Sequence, residues 1–255
     1  MQQFFGQTKY LLRLLVNRKN SKDDFNWKLY TDYYKGELSS IGKIHSLTIQ
    51  KGDYEFKHNV LKNKKFVKDL HPNHRLVYET ILQLKPSSLL EVGCGGGDHL
   101  HNIHILNPKI TLFGTDLAKN QLQFLKSRHP KLQVTLRESD ITLPNAFTSP
   151  RVDIAFTQAV LMHIKTGNGH LVGLANLFSY ATKQVILMEN WTRHDFMHDI
   201  KKLHRLNIIP WKNIFFYYRE SPELKKPHLM IISSVKLKNF PVLSDYKILK
   251  NNVYK

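Results

Sequence analysis

Glu91-Val92-Gly93-Cys94-Gly95-Gly96-Gly97 is the stretch on which the reading of this 255-residue chain turns. The apolar run Ser88 to Val92 leads straight into it, and a helical pattern from Asp98 to Leu106 follows. A strand that ends in glycines and opens a helix lets the backbone turn tightly and approach a ligand that a β-carbon would hold away. The helix start adds free N–H groups and the positive end of a dipole. A dinucleotide-binding loop would carry its third glycine at position 98, where this chain has Asp98. An acid there repels a pyrophosphate and suits a ligand with a positive amino group.

Outward from the loop, strands and helices alternate. His71 to Leu84 reads as a helix stopped by Pro86. Strands are expected at Ile110–Gly114, Leu132–Arg137, Val152–Phe156 and Gln184–Met188, with helices at Leu117–Arg128 and Gly169–Ala181. This alternation indicates a parallel sheet covered on both faces. Ile214–Tyr218 and Leu229–Val235 are strand-like and joined by a loop, Glu220 to Pro227, too short for a crossover helix, so they should pair as an antiparallel hairpin. Two acids stand at the ends of the strands that follow the glycine loop. Asp116 is placed to accept from ribose hydroxyls, and Asp140 to accept from the exocyclic amine of a base.

Thirty-eight Lys and Arg against 20 Asp and Glu give a net charge of +18, which favours an acidic partner without choosing which. A hydrophobic content of 42% excludes wholesale disorder. The single cysteine, Cys94, excludes an internal disulfide framework and a multi-cysteine metal site, and fits a reducing cytoplasm. No apolar stretch is long enough to span a membrane. Residues 1–70 differ in texture, being rich in Lys, Asn and Tyr with weak periodicity, and are read as an N-terminal helical or irregular extension before a domain at 71–255. Arg13 breaks the apolar run at Leu11–Val16, so a signal peptide is not expected. Two readings of that segment stay open: a helix packed on its own domain, and an amphipathic helix making a peripheral membrane contact.

The set Glu91-x-Gly93-x-Gly95-x-Gly97, Asp116, Ser139-Asp140-Ile141 and Val152-Asp153-Ile154-Ala155-Phe156 with Leu161-Met162-His163-Ile164 resembles the class I S-adenosylmethionine-dependent methyltransferases over residues 71–235. The resemblance implies an α/β fold: a Rossmann-like, seven-stranded, mostly parallel sheet with a C-terminal antiparallel hairpin. It also implies S-adenosylmethionine as cofactor. Glu91 and the loop of Gly93, Cys94, Gly95 and Gly97 would hold the methionine end, and Asp116 the ribose. Leu117 and Ile141 would lie at the adenine, Asp140 at its amine, and Thr157 and Gln158 beside the sulfonium.

Methyl transfer is an in-line displacement, so the protein positions the acceptor and, for a hydroxyl, removes its proton. His163 leads as base because it follows the fourth strand of the domain and titrates near neutrality. Glu189 and His194, after the fifth, are further catalytic candidates and Asn190 an acceptor-binding one, each also readable as a loop residue; His74 is read either as lining the acceptor cleft or as part of the helix cap. His194 and His198 stand four apart and would share a helix face, but lack a third ligand at a telling distance, so no metal is expected. Two readings of residues 1–70, with Trp27, Tyr30, Tyr33 and Tyr34, stay open: a cap over the acceptor cleft, with the tyrosines as acceptor-binding candidates, and ordinary hydrophobic packing of an N-terminal extension.

No Asn/Asp-Pro-Pro-aromatic sequence follows the fourth strand, where Phe156-Thr157-Gln158-Ala159 stands, so the resemblance does not extend to adenine-amine methylation in nucleic acid. Bacterial methyltransferases of small metabolites and surface sugars are the most similar, which implies a small or saccharide acceptor, anionic given the charge. An RNA methyltransferase holding phosphates on its basic surface, and a non-catalytic cofactor-binding partner, are the competing readings.

Overall fold

The computed structural model describes residues 47–64, 66–144, 151–165, 167–221 and 223–250. Its centre is a seven-stranded sheet in the order β5-β4-β3-β6-β7-β9-β8. The strands are β3 (Ser88–Val92), β4 (Thr111–Asp116), β5 (Thr135–Glu138), β6 (Val152–Gln158), β7 (Ala181–Met188), β8 (Phe215–Ser221) and β9 (Lys226–Ser233). Neighbours from β5 to β7 are parallel, while β9 runs antiparallel to both β7 and β8. This is the expected mixed α/β sheet with its terminal hairpin. The order reverses at β3, which lies between β4 and β6, so a crevice opens at the carboxyl ends of β3 and β6.

Alternation along the strands divides the interior in two. Leu89, Ile154, Phe156, Ile186 and Ile231 face α1 (Pro72–Leu84), α2 (Asp98–Leu106) and α3 (Lys119–Arg128). Leu90, Ala155, Val185, Leu187 and Ile232 face α4 (Gly169–Tyr180), α5 (Phe196–Arg205) and the short α6 (Lys247–Lys250). Central strands buried on both faces explain the unbroken apolar runs.

Several boundaries differ from the sequence reading. The strand β7 starts at Ala181, directly after α4, because Val152 and Ala181 already pair at the foot of the sheet. The strands of the C-terminal hairpin extend to Ser221 and resume at Lys226, so its turn is shorter than Glu220–Pro227. Helix α5 begins at Phe196, where Asp195 accepts from the His198 N–H as N-cap. His194 therefore precedes the helix and His198 is exposed on it, and the two do not share a helix face.

A two-stranded hairpin, β1 (Tyr54–Lys57) and β2 (Val60–Asn63), turns through His58 and Asn59, both at positive φ. It is tied to the domain by polar groups: Glu79, fully buried on α1, accepts from the Leu61 N–H at 2.8 Å and pairs with Arg75 and Arg219. Asn102 on α2 accepts from the Ile49 N–H and donates to the Leu47 carbonyl. Leu47, Ile49 and the β1–β2 hairpin thus pack on α1 and α2; Tyr33, Tyr34 and the remaining N-terminal segment lie outside the described residues. Among the described residues no helix is long and apolar enough to cross a membrane.

Candidate functional site

The glycine loop leaves β3 at Gly93 and enters α2 at Gly97, both at positive φ. A β-carbon on Gly97 would lie 2.3 Å from Leu125 Cγ, and one on Gly93 would lie 2.4 Å from Val160 Cγ2. The loop is seated on the neighbouring strand: the Gly93 and Cys94 amides donate to the Thr115 carbonyl at 2.7 and 2.9 Å. Asp116, ending β4, accepts from Gly95 N at 2.9 Å through one oxygen and from Ala118 N at 2.8 Å through the other. Burial still pushes its pKa up. Cys94 is buried with its thiol pKa pushed well up, chiefly by that burial, so it contributes its backbone and no nucleophile.

Around this loop three buried oxygens have no protein partner: Glu91 Oε2, Gln121 Oε1 and Gln158 Oε1. Buried acceptors of this kind are ordinarily satisfied, so the crevice is built to receive donors. Burial, aided by Asp98 and Asp116, drives the Glu91 pKa well above the carboxylate range, which an arriving ammonium would reverse. The residues therefore fit a ligand with an amino-acid end and ribose hydroxyls. Leu117 is 50% exposed beside Asp116, offering an apolar face to a flat ring. Asp140 closes an Asx turn, accepting from Thr142 N and Oγ1, while Ile141 is buried in the core. Asp98 is held at 2.5 Å by Arg128, so its charge is already matched within the protein.

Beyond β6 the backbone turns through Ala159 at positive φ into a short 3-10 helix, Leu161–His163. Glu189, at the end of β7 and fully buried, organises this turn. It accepts from Thr157 Oγ1 at 2.7 Å, from Val160 N at 3.1 Å and from Met162 N at 3.0 Å. Its oxygens are thus engaged by the β6 strand and the turn after it.

His163 sits on the turn so held. Burial, with Lys165 and Arg193 nearby, lowers its pKa to about 4, so it is neutral at physiological pH. His194 donates from Nε2 to the Ile164 carbonyl at 3.0 Å and stacks on His170 at 4.1 Å. His170 in turn faces Asp199 at 3.5 Å. Asn190 accepts from Thr192 N and Oγ1, which shapes the segment after β7. His74 is buried against His99, 4.5 Å between rings, within a cluster that includes His71 and Tyr78. Burial lowers His99 to about 4, and its Nδ1 lies 2.9 Å from the Tyr78 hydroxyl.

The β3, β4 and β6 residues thus stand at the carboxyl ends of adjacent strands, and Glu189 and His194 follow the neighbouring strand β7. Sequence reasoning missed Gln121, Val160 and His99. Gln121 could have been found as a polar residue on the sheet-facing side of α3; Val160 carries no signal, because its partner is a missing β-carbon. A separate hollow of about 320 Å³, lined by His104, Lys109, Thr111, Gln133 and Thr135, lies at the amino ends of β4 and β5, away from the glycine loop.

A family model described as a methyltransferase domain matches residues 83–239, more than half of the chain. No curated protein sequence matches it. Among solved structures, the methyltransferase domain of bacterial CtHen1 superposes with a TM-score of 0.50 at 16% identity, covering 62% of this chain and 95% of that one. A TehB-like SAM-dependent methyltransferase from Corynebacterium glutamicum also gives 0.50, at 15% identity over 69% of this chain and 90% of its own. SAM-bound CalS10, an amino pentose methyltransferase from Micromonospora echinaspora, gives 0.40 at 20% identity; the match covers 48% of this chain and 51%, about half, of that enzyme. At these identities the likeness is one of fold.

Proposed function

The chain belongs to this methyltransferase-domain family, and from that premise we propose that it moves a methyl group from S-adenosylmethionine to a hydroxyl of a small or saccharide acceptor bearing negative charge. The observation that carries the donor half is the unpartnered Glu91 Oε2 beneath the glycine loop, an acceptor that the donor's ammonium would satisfy. S-adenosylmethionine supplies an electrophilic methyl on a sulfonium. Glu91 and the glycine loop hold its amino-acid end, Asp116 its ribose, and Leu117 with Ile141 and the Asp140 turn bound its base. Thr157 and Gln158, at the end of β6, flank the point of transfer.

On the acceptor side, neutral His163 takes the hydroxyl proton as the oxygen attacks. Glu189 keeps that histidine in place through the Val160 and Met162 amides. Lys165 and Arg193, whose charges already weigh on His163, favour an acceptor carrying phosphate or carboxylate. His194 and Asn190, after β7, border the acceptor.

Calorimetric titration with S-adenosylmethionine and S-adenosylhomocysteine, beside Asp116→Ala, tests the donor half. Binding by the wild type that is lost in the variant is the expected result; no binding with or without candidate acceptors would overturn it. A methyl-transfer screen of nucleotide sugars and acidic saccharides against their neutral counterparts tests the acceptor half. Turnover confined to RNA would replace it.

A further inference from the structure

The end of the molecule opposite the transfer crevice has a composition of its own. From Ile200 to Tyr218 the chain contains Lys201, Lys202, Arg205 and Lys212 and no Asp or Glu. Helix α5 buries Phe196, Met197, Ile200 and Leu203, which leaves Lys201, Lys202 and Arg205 on its solvent face. Just past its end, Leu206 is 58% and Ile208 48% exposed, though both are large aliphatics that burial would favour.

Hydrogen bonds show what lies beside this segment. His204 donates to the Trp211 carbonyl, and Trp211 Nε1 donates to the Ala181 carbonyl at the start of β7. Arg151 donates to that same carbonyl. Ser234, following β9, bonds to the carbonyl of Lys183. Val235 is next, 55% exposed, and Lys236 lies over the Phe215 ring. The amino ends of β6, β7 and β8 and the carboxyl end of β9 therefore form one continuous edge. It carries Arg151, Lys183, Lys212, Lys236 and Lys238, exposed, with Leu206, Ile208 and Val235 protruding among them. The one acid in this group of contacts, Asp153, is paired with Lys183 at 3.0 Å and bonded by Ser87.

We propose that this basic, aliphatic-studded edge docks the enzyme on an anionic lipid bilayer. Cations near an anionic membrane attract it, and aliphatic side chains beside them enter the acyl boundary; the two together give reversible peripheral binding. Single-stranded nucleic acid would instead call for exposed aromatic faces on which bases stack. Here the large aromatic Trp211 is buried, and Phe215 and Phe216 lie under the lysines Lys236 and Lys201. Docked in this way, the crevice at the opposite ends of the strands faces the aqueous side, so the acceptor is met in solution.

Sedimentation of the full chain with phosphatidylcholine vesicles, with and without phosphatidylglycerol, tests the proposal. Binding should require the anionic lipid and weaken with salt. Lys201→Glu/Arg205→Glu should weaken it by about fivefold or more per cation removed. Leu206→Asp/Ile208→Asp should weaken it by about tenfold, with the thermal unfolding midpoint unchanged. Absence of binding by the wild type, or undiminished binding by the Leu206/Ile208 variant, overturns the proposal. Single-stranded RNA captured in preference to vesicles, and lost on charge reversal, would mark the edge as a nucleic-acid surface instead.

Discussion

Val160 Cγ2 lies 2.4 Å from the point a β-carbon on Gly93 would occupy, so the first glycine of the loop and a residue of the turn beyond β6 are packed against one another. Gly93 is at φ +77, and Val160 follows Ala159 at φ +54. Two turns from different strands are thus locked together by the absence of one side chain. The Val160 amide is itself bonded to Glu189, so contact runs from the donor loop, through Val160, to the end of β7.

Gly93→Ala should therefore fail on two counts, steric overlap with Val160 and a left-handed backbone that costs alanine about 1–2 kcal/mol. We expect S-adenosylhomocysteine binding to fall at least about tenfold, which corresponds to 1.4 kcal/mol. Adding Val160→Ala should restore part of that loss by removing the clash but not the strain. Calorimetry on the single and double variants checks it, and an unchanged affinity in Gly93→Ala would show that the loop tolerates the methyl.

Glu91 makes donor binding depend on pH. Burial raises its pKa, so in the free protein the carboxyl holds its proton more tightly than usual, and an ammonium needs it ionised. Affinity should rise as pH is raised from about 5 towards 8, with proton release on binding. Titrations in buffers of different ionisation enthalpy report the released proton, and Glu91→Gln should remove both it and the pH slope.

Glu189→Gln replaces acceptors with an amide whose NH2 would confront the Val160 and Met162 N–H groups. Loss of satisfaction at one such buried group costs about 1–3 kcal/mol. The expected signature is a lower kcat with a smaller change in donor affinity, because the turn carrying His163 is loosened while Glu91 and Asp116 are untouched. Equal falls in both would mean that Glu189 supports the donor loop as strongly as the acceptor bank.

His99 and His163 are each held near 4, below the ordinary imidazole value of 6.5, by burial first of all. The unfolded chain binds their protons from about pH 6.5 downward, whereas the folded protein resists until about 4. Stability is thus undiminished above 6.5 and falls as pH drops through that window, by about 1.4 kcal/mol per pH unit for each histidine. Urea unfolding at about pH 7.5 and 5.5 should show the loss. His99→Asn, which keeps an acceptor for Tyr78, should reduce it, and a slope equal to the wild type's would count against His99 as a source.

Much of the fold was legible because it rests on local pattern. Ser88–Val92 and Asp98–Leu106 fall where the apolar run, the glycines and the helical spacing put them. Helix α5 gave a weaker signal: its interior alternates His, Asp and Lys with its apolar face, and only Asp195 as cap decides where it starts. The β1–β2 hairpin was hidden as well, since its turn uses His58 and Asn59 where a glycine would have announced it.

The donor site divides in the same way. The turn from β3 into α2 through Gly93 and Gly97, both at positive φ, could be read from the chain because a tight strand–helix turn favours glycine there. What each side chain has left to offer was decided by tertiary packing alone. Asp98 is neutralised by Arg128 and Glu189 is consumed by three groups of the β6 turn, while Glu91 is left with an oxygen to spare. Spacing along a chain sets where a group stands; which partners claim its hydrogen bonds depends on residues that only folding brings alongside.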